Sequence, residues 1–167
     1  MVDFDNLDVV VAGKDAAGQV TFLDPGESAR LNVPGVVDCS FIWATEGLVD
    51  LRRGIGGPSP SVGFPLPGGT RFGLISLPAN SAGKMNVNET VGHEQVDVDD
   101  DNPAMHQTNS IDYEVIISGK VDIVLQNGER RTLTPGSCLV MGGVSHAWEN
   151  HYDEPCIYAA IIVGARA

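Results

Sequence analysis

The sequence predicts an all-β protein of antiparallel strands with an N-terminal β extension. Three observations carry this. Short apolar runs alternate with Gly and Pro clusters, 20 Gly and 10 Pro in 167 residues, the spacing of strands joined by turns. Val121–Leu133 reads as a hairpin around Asn127-Gly128, a dipeptide that favours the type I′ turn. Two stretches, Met105–Gly119 and Gly136–Asn150, each place one histidine at a strand position among alternating polar residues. A chain of this length suits one domain. One domain is expected over 1–167, with N-terminal strands and loops over 1–69 and the core over 70–167.

The elements follow in order. Leu7–Ala12 is a β-branched run closed by Gly13, and Val20–Leu23 is a second short strand ended by Asp24-Pro25-Gly26. Together they predict a hairpin that pairs with the main sheet or with a second subunit. Asp38–Thr45 is strand-like with apolar residues on both faces, which predicts burial on both sides. Gly54–Gly69 gathers loop formers and reads as an irregular connection of the kind that walls or lids a site. Arg71–Leu77 is a strand. Asn80–Pro103 is polar, with Glu94, Asp97, Asp99, Asp100 and Asp101; it lacks the Gly and terminal Glu of a calcium loop and reads as a solvated acidic loop. His93 and Glu94 could reach the barrel mouth. Cys156–Val163 is the final strand.

Parity defines the candidate site. In extended backbone, alternate side chains share a face, so His106, Thr108, Ser110 and Asp112 point to one side and Glu114 follows them. On the second stretch His146, Trp148 and Asn150 share a face. Two antiparallel strand pairs could thus aim two imidazoles and one or two carboxylates into one space, the start of a metal site or of an acid–base site. Glu114 is the most unusual of these residues. An inward carboxylate is costly unless it is paired, metal-bound or protonated. Asp112 and Glu114 therefore read as ligand plus base, or as a coupled acid pair. Trp148 reads as a cavity wall or as core. Tyr113, on the opposite parity, should point out of the cavity and pack under the N-terminal segment.

These residues resemble the cupin superfamily, whose motifs have the forms G-x5-H-x-H-x3/4-E-x6-G and G-x5-P-x-G-x2-H-x3-N. His106 matches the first histidine and Gly119 closes the first motif. Gly143, His146 and Asn150 fit the end of the second. Thr108 stands where the second histidine belongs, Asp112 stands for the glutamate, and Gly142 precedes Gly143 where a proline belongs near by. The resemblance implies a single cupin double-stranded β-helix, a jelly-roll-like antiparallel barrel of six to eight strands. It also implies a divalent metal (Fe, Mn, Ni or Zn) on His106, His146 and Asp112, with Thr108 and Trp148 toward the substrate and Glu114 or Asp112 as catalytic groups. Gly119 and Asn150 are expected to be structural.

Composition narrows the partners. The formal net charge is -12, so nucleic acid and anionic membranes are expected non-partners. Cys39, Cys138 and Cys156 are odd in number and widely spaced, which suggests buried free thiols in a reducing compartment. The first residues are acidic where a leader peptide is basic, so the expected location is cytoplasmic. A homodimer is expected, with Phe41–Trp43 or the N-terminal hairpin crossing between subunits. Three functions stay open: a metal-dependent enzyme on a small oxygenated or aromatic metabolite, a metal-free acid–base isomerase or dehydratase using Asp112 or Glu114, and a non-catalytic small-molecule binder.

Overall fold

The computed structural model describes residues 2–90 and 95–166. Two antiparallel sheets face each other. The six-stranded sheet has the order β11-β8-β13-β5-β4-β3 and the five-stranded sheet β10-β9-β12-β7-β6. In the first, the strands are β3 (Ala29–Val33), β4 (Val37–Thr45), β5 (Thr70–Leu77), β8 (Ser110–Ser118), β11 (Cys138–Gly142) and β13 (Cys156–Gly164). In the second they are β6 (Val96–Val98), β7 (His106–Thr108), β9 (Val121–Leu125), β10 (Arg130–Leu133) and β12 (His146–Glu149). From β7 onward the chain passes repeatedly between the sheets, with β9 and β10 as a hairpin within the five-stranded one, so the strands wind as a double-stranded β-helix around a core that includes Val37, Phe41, Ile75, Ile116, Val121 and Tyr158. The described residues form one short helix, α1 (Val87–Thr90), and none of their helices is long and apolar enough to cross a membrane.

Several expectations are corrected. The strand count rises to five plus six because Ala29–Val33 and Val96–Val98 add strands and the stretch from Met105 does not stay in one sheet. It leaves the five-stranded sheet after Thr108 and enters the six-stranded sheet at Ser110. Strands β3 and β4, which precede the 69/70 division, are hydrogen-bonded into the same sheet as β5. Within the chain, the N-terminal hairpin of β1 (Val11–Lys14) and β2 (Val20–Leu23) forms its own two-stranded sheet and does not join the main sheet. The expected acidic loop supplies β6, because Val96 and Val98 flank Asp97 with strand alternation and pair with β7. His93 and Glu94 lie outside the described residues. Cys39 and Cys156 are buried, but Cys138 is exposed, since it sits on the outer side of an edge strand.

The turn at Asn127-Gly128 is not type I′. The Gly128 N–H donates to the Leu125 carbonyl, Leu125 N–H donates to the Glu129 carbonyl, and only Gly128 takes a positive φ, +86°. That is a turn closed by a left-handed glycine, the three-residue alternative for hairpins.

Gly119 is structural for a measurable reason. Its φ is +74° and a Cβ there would stand 2.1 Å from the Pro155 carbonyl oxygen. Gly119→Ala should lower stability by more than about 2 kcal/mol, because it adds left-handed strain to a backbone clash. Urea unfolding checks this; a loss of only a few tenths would refute the packing argument.

Candidate functional site

The site is built from two facing pairs. On the five-stranded sheet His106 of β7 and His146 of β12 are direct cross-strand partners, so their rings lie side by side with centroids 4.4 Å apart. On the six-stranded sheet Asp112 and Glu114 of β8 project inward from alternate positions, both buried. All four line one cavity of about 110 Å³. That is somewhat less than the roughly 150 Å³ apolar cavity that holds a benzene. The rest of the wall is mostly apolar, with Leu31, Phe41, Phe64, Met85 and Trp148 among its residues.

The backbone sets the imidazole tautomers. Nδ1 of His106 lies 3.0 Å from the Ala104 carbonyl, and Nδ1 of His146 lies 2.9 Å from the Val144 carbonyl. A carbonyl can only accept, so each Nδ1 carries the proton and each Nε2 keeps a free lone pair. Burial keeps both rings neutral. The pKa of His106 is lowered by desolvation; that of His146 falls to about 3 through desolvation and then the neighbouring His106.

The carboxylates are pushed the other way. Glu114 is raised to about 8, first by burial and then by the charge of Asp112. Asp112 is raised by burial, opposed by a hydrogen bond from Ser110. Oε2 of Glu114 and Oδ1 of Asp112 are buried with no hydrogen-bond partner. A neutral Glu114 avoids the cost of an unpaired buried anion. At neutral pH the cavity therefore holds one proton donor, Glu114, and two lone-pair acceptors on the histidines.

Other expected site residues are placed as follows. Trp148 lines the cavity and stacks on Tyr158 of β13, centroids 4.6 Å apart and planes 13° apart. Thr108, expected on the substrate side, is absent from the wall; its hydroxyl is bound to that of Ser110 at 2.7 Å. Tyr113 points outward as expected but is 45 % exposed, so the N-terminal segment does not cover it. Phe41 is spent in the core and Trp43 donates its indole N–H to the Ile55 carbonyl, so their apolar character is used within the chain. Sequence reasoning missed Tyr158, Phe64 and Met85 as wall residues. Phe64 lies in the Gly54–Gly69 connection that reads as a wall or lid, and Tyr158 is the lone aromatic of the last strand, so both left a signal; Met85 left none.

The metal expectation meets a geometric limit. The two histidines present Nε2 as metal-binding imidazoles do, with the other nitrogen fixed by a carbonyl. Yet among the described residues no group of three His, Cys, Asp or Glu side chains is gathered closely enough to hold an ion. Asp112 reaches Ser110 and does not complete a set with the histidines. The described residues therefore fit two ligands of a centre and not the three expected.

No family model matches the chain. Over 46 residues, 28 % of this chain, it is 48 % identical to phomopsin biosynthesis cluster protein D of Diaporthe leptostromiformis, covering 24 % of that protein. Over 46 residues it is 39 % identical to the cupin-domain-containing oxidoreductase fogC of Aspergillus ruber, covering 28 % of this chain and 23 % of that protein. The matched part thus spans about a quarter of the length of these relatives. Among solved structures, KdgF from Halomonas sp. aligns with 80 % of this chain and 84 % of its own at a TM-score of 0.47 and 11 % identity. The cupin_2 domain of an XRE-family transcriptional regulator from Enterobacter cloacae aligns with 58 % of this chain and 83 % of its own at a TM-score of 0.41 and 21 % identity. The fold is a double-stranded β-helix in which the two histidine stretches meet across adjacent strands. In the placing of these stretches the chain resembles the cupin superfamily.

Proposed function

We propose that the cavity binds a small, uncharged, largely apolar molecule bearing an oxygen function, and moves a proton on it. The observation that carries this is the orphaned buried Glu114 carboxyl in the same cavity as two neutral imidazoles with free Nε2 atoms. A protonated Glu114 would donate to the developing oxyanion of a carbonyl, and Nε2 of His106 or His146 would take the proton from the neighbouring carbon. This is the acid–base pairing that enolisation, isomerisation and elimination require. The apolar wall supports an uncharged substrate, because desolvating an ion there finds no fixed counter-charge.

A divalent metal on His106 and His146 is the second reading, favoured by their fixed Nδ1 protons. When bound it would supply Lewis-acid polarisation of the same oxygen.

Both are tested together. A panel of small ketones and hydroxyketones is incubated in D2O with protein stripped of metal, and exchange of the α-hydrogen is followed by NMR. Wild type should catalyse exchange on at least one compound, and Glu114→Gln and His146→Gln should each slow it about 10²-fold or more. Exchange no faster than in the double variant, with and without added Fe(II), Mn(II), Ni(II) or Zn(II), would leave the non-catalytic binder. Exchange only with a metal, at one ion per chain, would favour the metal reading.

A further inference from the structure

We infer that Tyr158 is a specificity-determining residue of the cavity, its hydroxyl holding a second oxygen of the ligand, so that the substrate class narrows to small α-hydroxyketones. This rests on the acid–base reading of the same cavity and adds to it a group which that reading does not use. Tyr158 of β13 lines the cavity, is 6 % exposed and stacks on Trp148. A phenylalanine would supply the same stack and the same apolar area. What tyrosine adds is a hydroxyl. Among the described residues that hydroxyl has no hydrogen-bond partner, whereas the hydroxyl of Tyr152 donates to Asp122 at 2.9 Å. A buried phenol ordinarily finds a partner, and leaving one without it costs free energy. Such a cost in the wall of a cavity points to a partner that arrives with the ligand.

The register sets this hydroxyl near the acid. Across β8 and β13, Glu114 is the direct partner of Ala160, and Ile116 is that of Tyr158. Tyr158 is therefore the diagonal neighbour of Glu114 on the inner face. Diagonal neighbours stand roughly 7–8 Å apart at the backbone, within reach of aromatic and long side chains. Ala160 sets only a methyl group opposite Glu114. Ile116 and Ile75 flank Tyr158 on the two neighbouring strands, so neither competes for its hydroxyl. Burial, and then Glu114, hold the phenol well above its ordinary pKa of 10.0, so it stays a donor. Two donors from adjacent strands thus front one cavity of about 110 Å³. A ligand that small meets both by carrying its two oxygens on adjoining carbons, the carbonyl at Glu114 and the other at Tyr158. The second oxygen is a hydroxyl and not a carboxylate, because the wall offers an anion no fixed counter-charge.

The test uses the full chain, stripped of metal, at pH 7, with a matched pair of four-carbon probes, 2-butanone and 3-hydroxy-2-butanone. Affinity is read by ligand-observed NMR, and exchange of the α-hydrogen in D2O is followed on the same samples. Wild type should bind the hydroxyketone about 10-fold more tightly, the worth of one buried hydrogen bond. Tyr158→Phe should bring that ratio to about 1. It should not lower the melting temperature, since it removes a hydroxyl to which no described residue is bound. Glu114→Gln should slow exchange and leave the binding preference in place. Preference without exchange therefore refutes the acid–base reading alone, and exchange on both probes at equal affinity refutes the Tyr158 assignment alone. A preference that survives Tyr158→Phe, a fall of several degrees in the melting temperature of that variant, or saturable binding of neither probe overturns the inference.

Discussion

Glu114→Gln should stabilise the protein at pH 9 by roughly 1–4 kcal/mol and change little at pH 4. The sign follows from the raised pKa. Below about pH 4.5 the carboxyl is protonated in both folded and unfolded chains, and its contribution is fully present. As pH rises, the unfolded chain releases the proton at its ordinary value of 4.5 while the folded chain holds it to about 8. Stability is therefore lost across that window and levels off above it. Glutamine keeps the shape and a hydrogen-bond donor and has no proton to lose. Urea unfolding of both proteins from pH 4 to 9 measures the difference; parallel curves would mean that Glu114 ionises normally. His146 acts at the other end. Its pKa is lowered from 6.5 to about 3, so its contribution is present above 6.5 and is lost as pH falls toward 3. His146→Gln should flatten that acid limb.

Asn150→Ala should cost about 3–5 kcal/mol, among the largest effects of any single substitution here. Asn150 is fully buried. Its amide donates to the Leu77 carbonyl at 3.0 Å and the Glu154 carbonyl at 2.9 Å, and its oxygen accepts from the Tyr152 N–H at 2.9 Å. One side chain thus ties the end of β12 to the end of β5 and to the turn entering β13. Alanine leaves three backbone groups without partners, each costing about 1–3 kcal/mol when buried. Asn150→Asp should be at least as damaging at neutral pH, since it sets a carboxylate against two carbonyl oxygens, and should recover partly in acid as the carboxylate protonates. Thermal unfolding of both variants at two pH values decides this. A cost under about 1 kcal/mol for alanine would mean that water replaces the side chain.

The site carboxylates were legible because strand parity is a local property. Ser110, Asp112 and Glu114 alternate with Ile111, Tyr113 and Val115, and an extended backbone sends the two sets to opposite faces whatever surrounds them. The same local rule located the two histidine strands, and the motif spacing located Gly119 and Asn150. It did not say which face is the interior. An apolar-in reading would have buried Tyr113 and exposed Glu114; the structure buries Glu114 and leaves Tyr113 exposed.

What the sequence by itself determined is therefore the all-β class, the candidate strands, and the shared face of the imidazole and carboxylate residues, all of which depend on spacing along one strand. Tertiary structure decided the rest. The sheet change between Thr108 and Ser110 carries Thr108 to the hydroxyl of Ser110 and away from the cavity. The cross-strand register brings His106 beside His146, and the carbonyls of Ala104 and Val144 select their tautomers. The wall is closed by Phe64, Met85 and Tyr158 from segments remote in the chain. Burial of Glu114, which sets its protonation, is the sum of those remote contacts, and no periodicity within β8 encodes it.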